Sequence, residues 1–95
     1  MKTYRVGDRV VYRKGKVSAH PGARARDVFP SEHGDDYTYH VDKYWTVAEL
    51  TDDAHVTVLT RTGKRHLLSA DDPFLHKANL LERLLHRAKF PPLAP

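Results

Sequence analysis

Apolar side chains in this chain run no longer than pairs and triplets, and in three segments of its 95 residues, Tyr4 to Val17, Tyr37 to Leu50 and Val56 to Ser69, they alternate with polar ones. A period of two puts successive side chains on opposite faces of an extended backbone, so the pattern calls for half-buried strands. Tyr4 to Val17 starts it, with Val6, a Gly7-Asp8 turn and then Arg9-Val10-Val11-Tyr12-Arg13, where Val10 and Tyr12 share one face and Val11 takes the other. Lys14-Gly15-Lys16 reads as a turn or bulge, because glycine accepts backbone angles that other residues resist. Tyr37 to Leu50 carries Tyr37, Tyr39, Val41, Trp45 and Val47 on odd positions, as one bent strand or as two that part near Asp42-Lys43. Val56-Thr57-Val58-Leu59-Thr60, the loop Arg61-Thr62-Gly63-Lys64 and Arg65-His66-Leu67-Leu68-Ser69 form a hairpin pattern. If Thr60 pairs with Arg65, Val58 faces Leu67 and Leu59 faces His66. Trp45 is the aromatic residue expected to be buried.

Between these segments, 19–36 loses all periodicity and gathers Pro21, Gly22, Pro30, Ser31 and Gly34 among charges, so a long loop is expected there, with Val28 and Phe29 pinning its middle to the core. After them, Asp71-Asp72-Pro73 has the form of a helix start, an acidic cap followed by proline at the first helical position. Phe74, Ala78, Leu81, Leu85 and Ala88 recur at spacings of three and four, and Pro91-Pro92 forbid continuation. A helix over about 73–89 follows, its apolar stripe docked on an open end of the sheet, with 91–95 as a proline-rich tail. The expectation is one domain over 1–90, mainly β: a small barrel of four to five antiparallel strands with one C-terminal α-helix.

Charge is the second constraint. The chain has 16 Lys and Arg against 12 Asp and Glu, but the excess of +4 is unevenly spread. Residues 1–26 hold eight basic side chains and one acid, 27–53 hold eight acids and Lys43 alone, and 54–95 hold seven basic residues and three acids, giving +7, −7 and +4. Either the first two blocks neutralise each other as neighbours, or they form separate charged surfaces.

The run Val6-Gly7-Asp8-Arg9-Val10-Val11-Tyr12 followed by Gly15-Lys16-Val17 resembles the opening of KOW, CarD-type and related SH3-like modules, and Trp45 to Leu68 looks like the central meander of the same barrels. The resemblance covers about 70 residues. It implies a binding module rather than an enzyme, of a kind that often acts on RNA, DNA or the transcription and translation machinery. The loop over 19–36 is longer than a KOW turn, and its acidic second half would repel phosphate.

Clustered Lys and Arg release counterions from phosphate backbones, and aromatic faces add stacking on single strands. Arg9, Arg13, Lys14, Lys16, Arg24 and Arg26 supply the charge, with Tyr12 beside them and Tyr37, Tyr39, Tyr44 and Trp45 as further rings. Arg24 and Arg26, one alanine apart on a Pro/Gly-set loop, are expected to reach outward together. Contact with RNA or DNA through this basic strand and loop is the first expectation. A protein partner or homo-oligomer, meeting the acidic block, the sheet edge or the helix, is the alternative.

Other chemistry finds little support. The absence of cysteine removes disulfides, thiolate metal sites and thiol nucleophiles. His33, Asp35, Asp36 and His40 are spaced closely enough to suggest a metal, yet they also read as an ordinary polar turn, and no metal or other cofactor is expected. Ser18 with His20, or His66 with Ser69, can be proposed as nucleophile–base pairs only by proximity in sequence, and no phosphate loop or nucleophile elbow exists, so no enzymatic activity is expected. A core this small also argues against a deep enclosed active site. No apolar run approaches the ~20 residues of a membrane span and no signal-peptide pattern opens the chain, so a cytoplasmic location without membrane contact is expected.

Overall fold

The computed structural model describes residues 3–30 and 36–93. Six strands, β1 (Arg9–Ser18), β2 (Arg26–Pro30), β3 (Tyr37–Leu50), β4 (His55–Leu59), β5 (Arg65–Ser69) and β6 (Leu75–Lys77), precede one short helix, α1 (Leu80–Leu85). The fold is mainly β and antiparallel with a C-terminal helix, as expected. The sheet is open, in the order β5-β4-β3-β1-β6 with β2 also on β3, so it does not close into a barrel, and among the described residues its strands number six rather than four or five. By compactness the chain divides into two units. One comprises Arg13–Lys43, and the other the described residues up to Tyr12 and from Tyr44 onward.

The second of these units holds the hydrophobic core of Tyr4, Val10, Trp45, Val47, Val56, Val58, Ala70 and Leu75, with Tyr12 and Leu68 packed against it. Val10 and Tyr12 share this face, as their alternation requires. Gly7 adopts φ +94°, which glycine tolerates without strain, and the turn it makes is tied to β3: its amide donates to the Val47 carbonyl at 2.8 Å, and the Val47 amide donates to the Asp8 carbonyl at 2.8 Å. The Gly7-Asp8 pair is therefore the device that enters β1.

Four local expectations are corrected in this unit. The β4–β5 hairpin is one residue out of the expected register, with Leu59 opposite Arg65, Val58 opposite His66 and Thr57 opposite Leu67. Gly63 at φ +85° closes a three-residue loop, so Thr60 pairs with Lys64, donating its amide to that carbonyl at 2.8 Å. The helix over 73–89 shrinks to Leu80–Leu85. Asp72 does not cap a helix; its Oδ1 accepts the Phe74 amide at 2.9 Å in a turn, and Leu75 enters β6 opposite Tyr12 and is fully buried. The operative cap is Asn79, whose side chain accepts the Glu82 amide while Glu82 accepts that of Asn79, a complete capping box. The apolar stripe is not docked: no residue of α1 is buried, and Leu80, Leu81, Leu84 and Leu85 are 60–67% exposed.

In the unit Arg13–Lys43, β1 runs straight through Gly15 with no turn, and the expected loop over 19–36 contains β2. β2 pairs with β3 as Arg26 to His40, Phe29 to Thr38 and Pro30 to Tyr37. Between the first two pairs lies a bulge centred on Asp27 at φ +52°, an irregularity that erases the period of two from the sequence. Val28 and Phe29 are exposed and pin nothing to a core.

Candidate functional site

Within Arg13–Lys43 the alternation of β3 sorts the side chains into two sets. No irregularity in pairing with β2 falls on β3 itself between Tyr37 and His40, so Thr38, His40 and Asp42 lie on one face, and Tyr37, Tyr39, Val41 and Lys43 on the other.

The first face is neutralised. Arg26 Nη1 donates to Asp42 Oδ2 at 2.7 Å, Arg13 Nε lies 3.7 Å from Asp42 Oδ1, and Arg13 Nη1 lies 4.0 Å from Asp27 Oδ2. His40 Nδ1 is 3.5 Å from the same Asp27 oxygen. Arg26 joins this group because it stands opposite His40, and Asp27 because the bulge turns it there. The basic and acidic blocks of the sequence thus meet through two arginines and two aspartates.

The opposite face collects cations. Arg13 reaches Asp42, so its neighbours Lys14 and Lys16, on even positions of β1, share the side of Lys43. Partial burial and the nearby charges of Lys16, Arg24 and Lys14 hold the Lys43 ammonium below the usual lysine range. Arg24 comes from a turn in which the Ala25 amide donates to the Gly22 carbonyl at 3.0 Å. Among the described residues no acid lies within ion-pair distance of Lys14, Lys16, Arg24 or Lys43. Lys16, Arg24 and Lys14 thus repel the Lys43 ammonium, a repulsion that a bound anion would relieve.

The seven residues singled out from sequence are therefore separated. Lys14, Lys16 and Arg24 converge on Lys43. Arg13 and Arg26 serve the ion-pair group, so Arg24 and Arg26 do not reach outward together. In the other unit, Arg9 sits 5.6 Å from the centre of the Phe90 ring. Tyr12 stacks on Trp45 at 5.2 Å and donates its hydroxyl to Asp72 Oδ2 at 3.2 Å; burial first, and then the Asp72 charge, push its pKa up. Tyr44 and Trp45 are likewise engaged, by His86 at 4.4 Å and His66 at 5.3 Å, and are not open for stacking on a ligand base.

Lys43 is the residue sequence reasoning missed. It is the sole cation in a stretch of net charge −7, and counting along the chain dissolves it. The signal was there: Lys43 occupies the odd position between Val41 and Trp45 in a run already read as alternating.

Elsewhere among the described residues, several polar groups have local partners. Asp52 accepts the Ala54 amide at 2.7 Å and lies 3.0 Å from His55 Nδ1, contacts that hold its carboxyl below the ordinary range. The Ser18 hydroxyl accepts the His20 amide at 3.1 Å, and the His66 ring lies against Trp45. Of the four residues weighed as metal ligands, His33 and Asp35 lie outside the described residues, and no group of three or more ligand-type side chains occurs among those described. No described helix is long and apolar enough to cross a membrane. Comparison with protein-family models, with characterised proteins and with solved structures gives no match.

Proposed function

We propose that this protein is a non-enzymatic binding module for RNA or DNA, contacting the phosphate backbone through Lys14, Lys16, Arg24 and Lys43. The observation that carries the reading is the segregation of these four cations on one side of Arg13–Lys43, away from the acids that neutralise Arg13 and Arg26. Cations held only for stability would be expected beside acids; these lie beside one another, an arrangement suited to a polyanion. The likeness of Val6–Tyr12 and Gly15–Val17 to KOW and CarD-type openings supports the same class. The test is retention on nucleic acid as a function of salt. Four phosphate contacts give a slope of log affinity against log salt of roughly −3 to −4, and a slope near zero would remove the proposal.

A second reading rests on the four exposed leucines of α1. Among the described residues nothing buries their stripe, as expected of a surface that meets a protein partner or a second copy. Sedimentation of the wild type against Leu81→Ser with Leu85→Ser examines it: a dimer lost in the variant supports the reading, and a monomer in both leaves only the hetero-partner form.

A further inference from the structure

We infer that the basic face of Arg13–Lys43 takes single-stranded rather than duplex nucleic acid, with unpaired bases stacked on Tyr37 and Tyr39 while Lys14, Lys16, Arg24 and Lys43 hold the backbone. This rests on the proposed nucleic-acid reading and narrows it. Tyr37, Tyr39 and Lys43 occupy alternate positions of one strand, so both rings belong to the face that carries the cations. Tyr37 is 38% exposed, and Tyr39 is half-buried. Among the described residues no ring packs on either, in contrast to Tyr12, Tyr44 and Trp45, whose faces are occupied. The exposed Phe29 stands opposite Thr38, on the neutralised face, and takes no part.

Spacing decides between strand states. Side chains two residues apart on a strand are separated by about 6.7 Å. Duplex bases rise about 3.4 Å per step and are closed on both faces by their own neighbours. Bases that reach both tyrosines must be drawn apart to about twice that rise, which an extended single strand permits and a duplex does not. Tyr37 to Lys43 covers about 20 Å of strand, enough for a few extended nucleotides with cations at one end.

Fluorescence anisotropy on three labelled 12-nucleotide probes of mixed sequence tests this: single-stranded RNA, single-stranded DNA, and the same DNA annealed to its complement. The single strands are expected to bind at least tenfold more tightly than the duplex. Tyr37→Leu with Tyr39→Leu is expected to remove that preference, at roughly tenfold per lost ring, and to leave duplex binding where it was. Tyr37→Phe with Tyr39→Phe keeps the ring faces and restores the preference, which separates stacking from a folding defect. RNA bound more tightly than DNA would assign a further contact to the 2′-hydroxyl. Equal or tighter duplex binding that Lys16→Glu still weakens would overturn the single-strand inference and leave the nucleic-acid reading standing. Absence of salt-dependent binding to all three probes would end both.

Discussion

The two faces of β3 within Arg13–Lys43 use the same residue types to opposite ends. On one, Arg13 and Arg26 are absorbed by Asp27 and Asp42, and the guanidinium groups serve to hold β1, β2 and β3 together. On the other, Lys14, Lys16, Arg24 and Lys43 have no acid within ion-pair distance among the described residues, and partial burial together with the neighbouring cations holds the Lys43 ammonium below its usual range. A cation's role here is set by the parity of its position on a strand and by what the pleat brings opposite it, not by the sign of the block of sequence it belongs to. Predicted variants follow this division: one face should govern binding and the other stability.

The largest effect is expected for Lys16→Glu with Lys43→Glu. Two charge reversals on the cation face should lower nucleic-acid affinity in low salt on the order of 30-fold or more and take about two from the salt slope, while the thermal midpoint stays within a degree or two. Equal losses for Arg13→Ala with Arg26→Ala would erase the distinction between the faces. Next comes Asp42→Ala, which strips both arginines of their shared partner. It should cost about 1 kcal/mol, read as a fall of about 4–8 °C in the melting temperature, with affinity for nucleic acid kept within about twofold.

The smallest effect concerns Lys43 alone. Its folded-state pKa is lowered relative to the unfolded chain, so the folded protein releases this proton first, and stability rises as pH climbs through the interval below the ordinary value of 10.5. Tyr4 and Tyr12, raised in the fold, act in the opposite sense above pH 10, so the comparison must be made against a variant. Lys43→Met keeps the stem without the charge. It should be more stable than wild type by a few tenths of a kcal/mol at pH 7, and that advantage should fade towards pH 11. An advantage independent of pH would mean that the charge is not the cause.

How much of this could be read in advance depends on whether a feature is local. The start of β1, the strand character of Tyr37–Leu50 and the existence of the β4–β5 hairpin follow from alternation, whereas the passage of β1 through Gly15, the unity of β3 and the hairpin register do not. β2 did not, because the left-handed Asp27 breaks its period and its pairing partner lies beyond a second segment of chain. The C-terminal pattern misled for a different reason. Leu75 satisfies both a helical stripe and a strand position, and only the approach of β1, invisible in sequence, decides for the strand. The site was half visible: Lys14, Lys16 and Arg24 stood among the candidates, whereas removing Arg9, Tyr12, Arg13 and Arg26 from them required seeing Phe90, Trp45, Asp27 and Asp42 beside them.

The most direct test of the cation face is lysine acetylation followed by peptide mass spectrometry, with and without a 12-nucleotide single strand. Alone, Lys43 should react fastest, since its lowered pKa leaves more free amine at pH 8. With the oligonucleotide, Lys14, Lys16 and Lys43 should become protected while Lys64, Lys77 and Lys89 react as before. Protection spread evenly over these six of the seven lysines, or confined to the last three, would contradict the account.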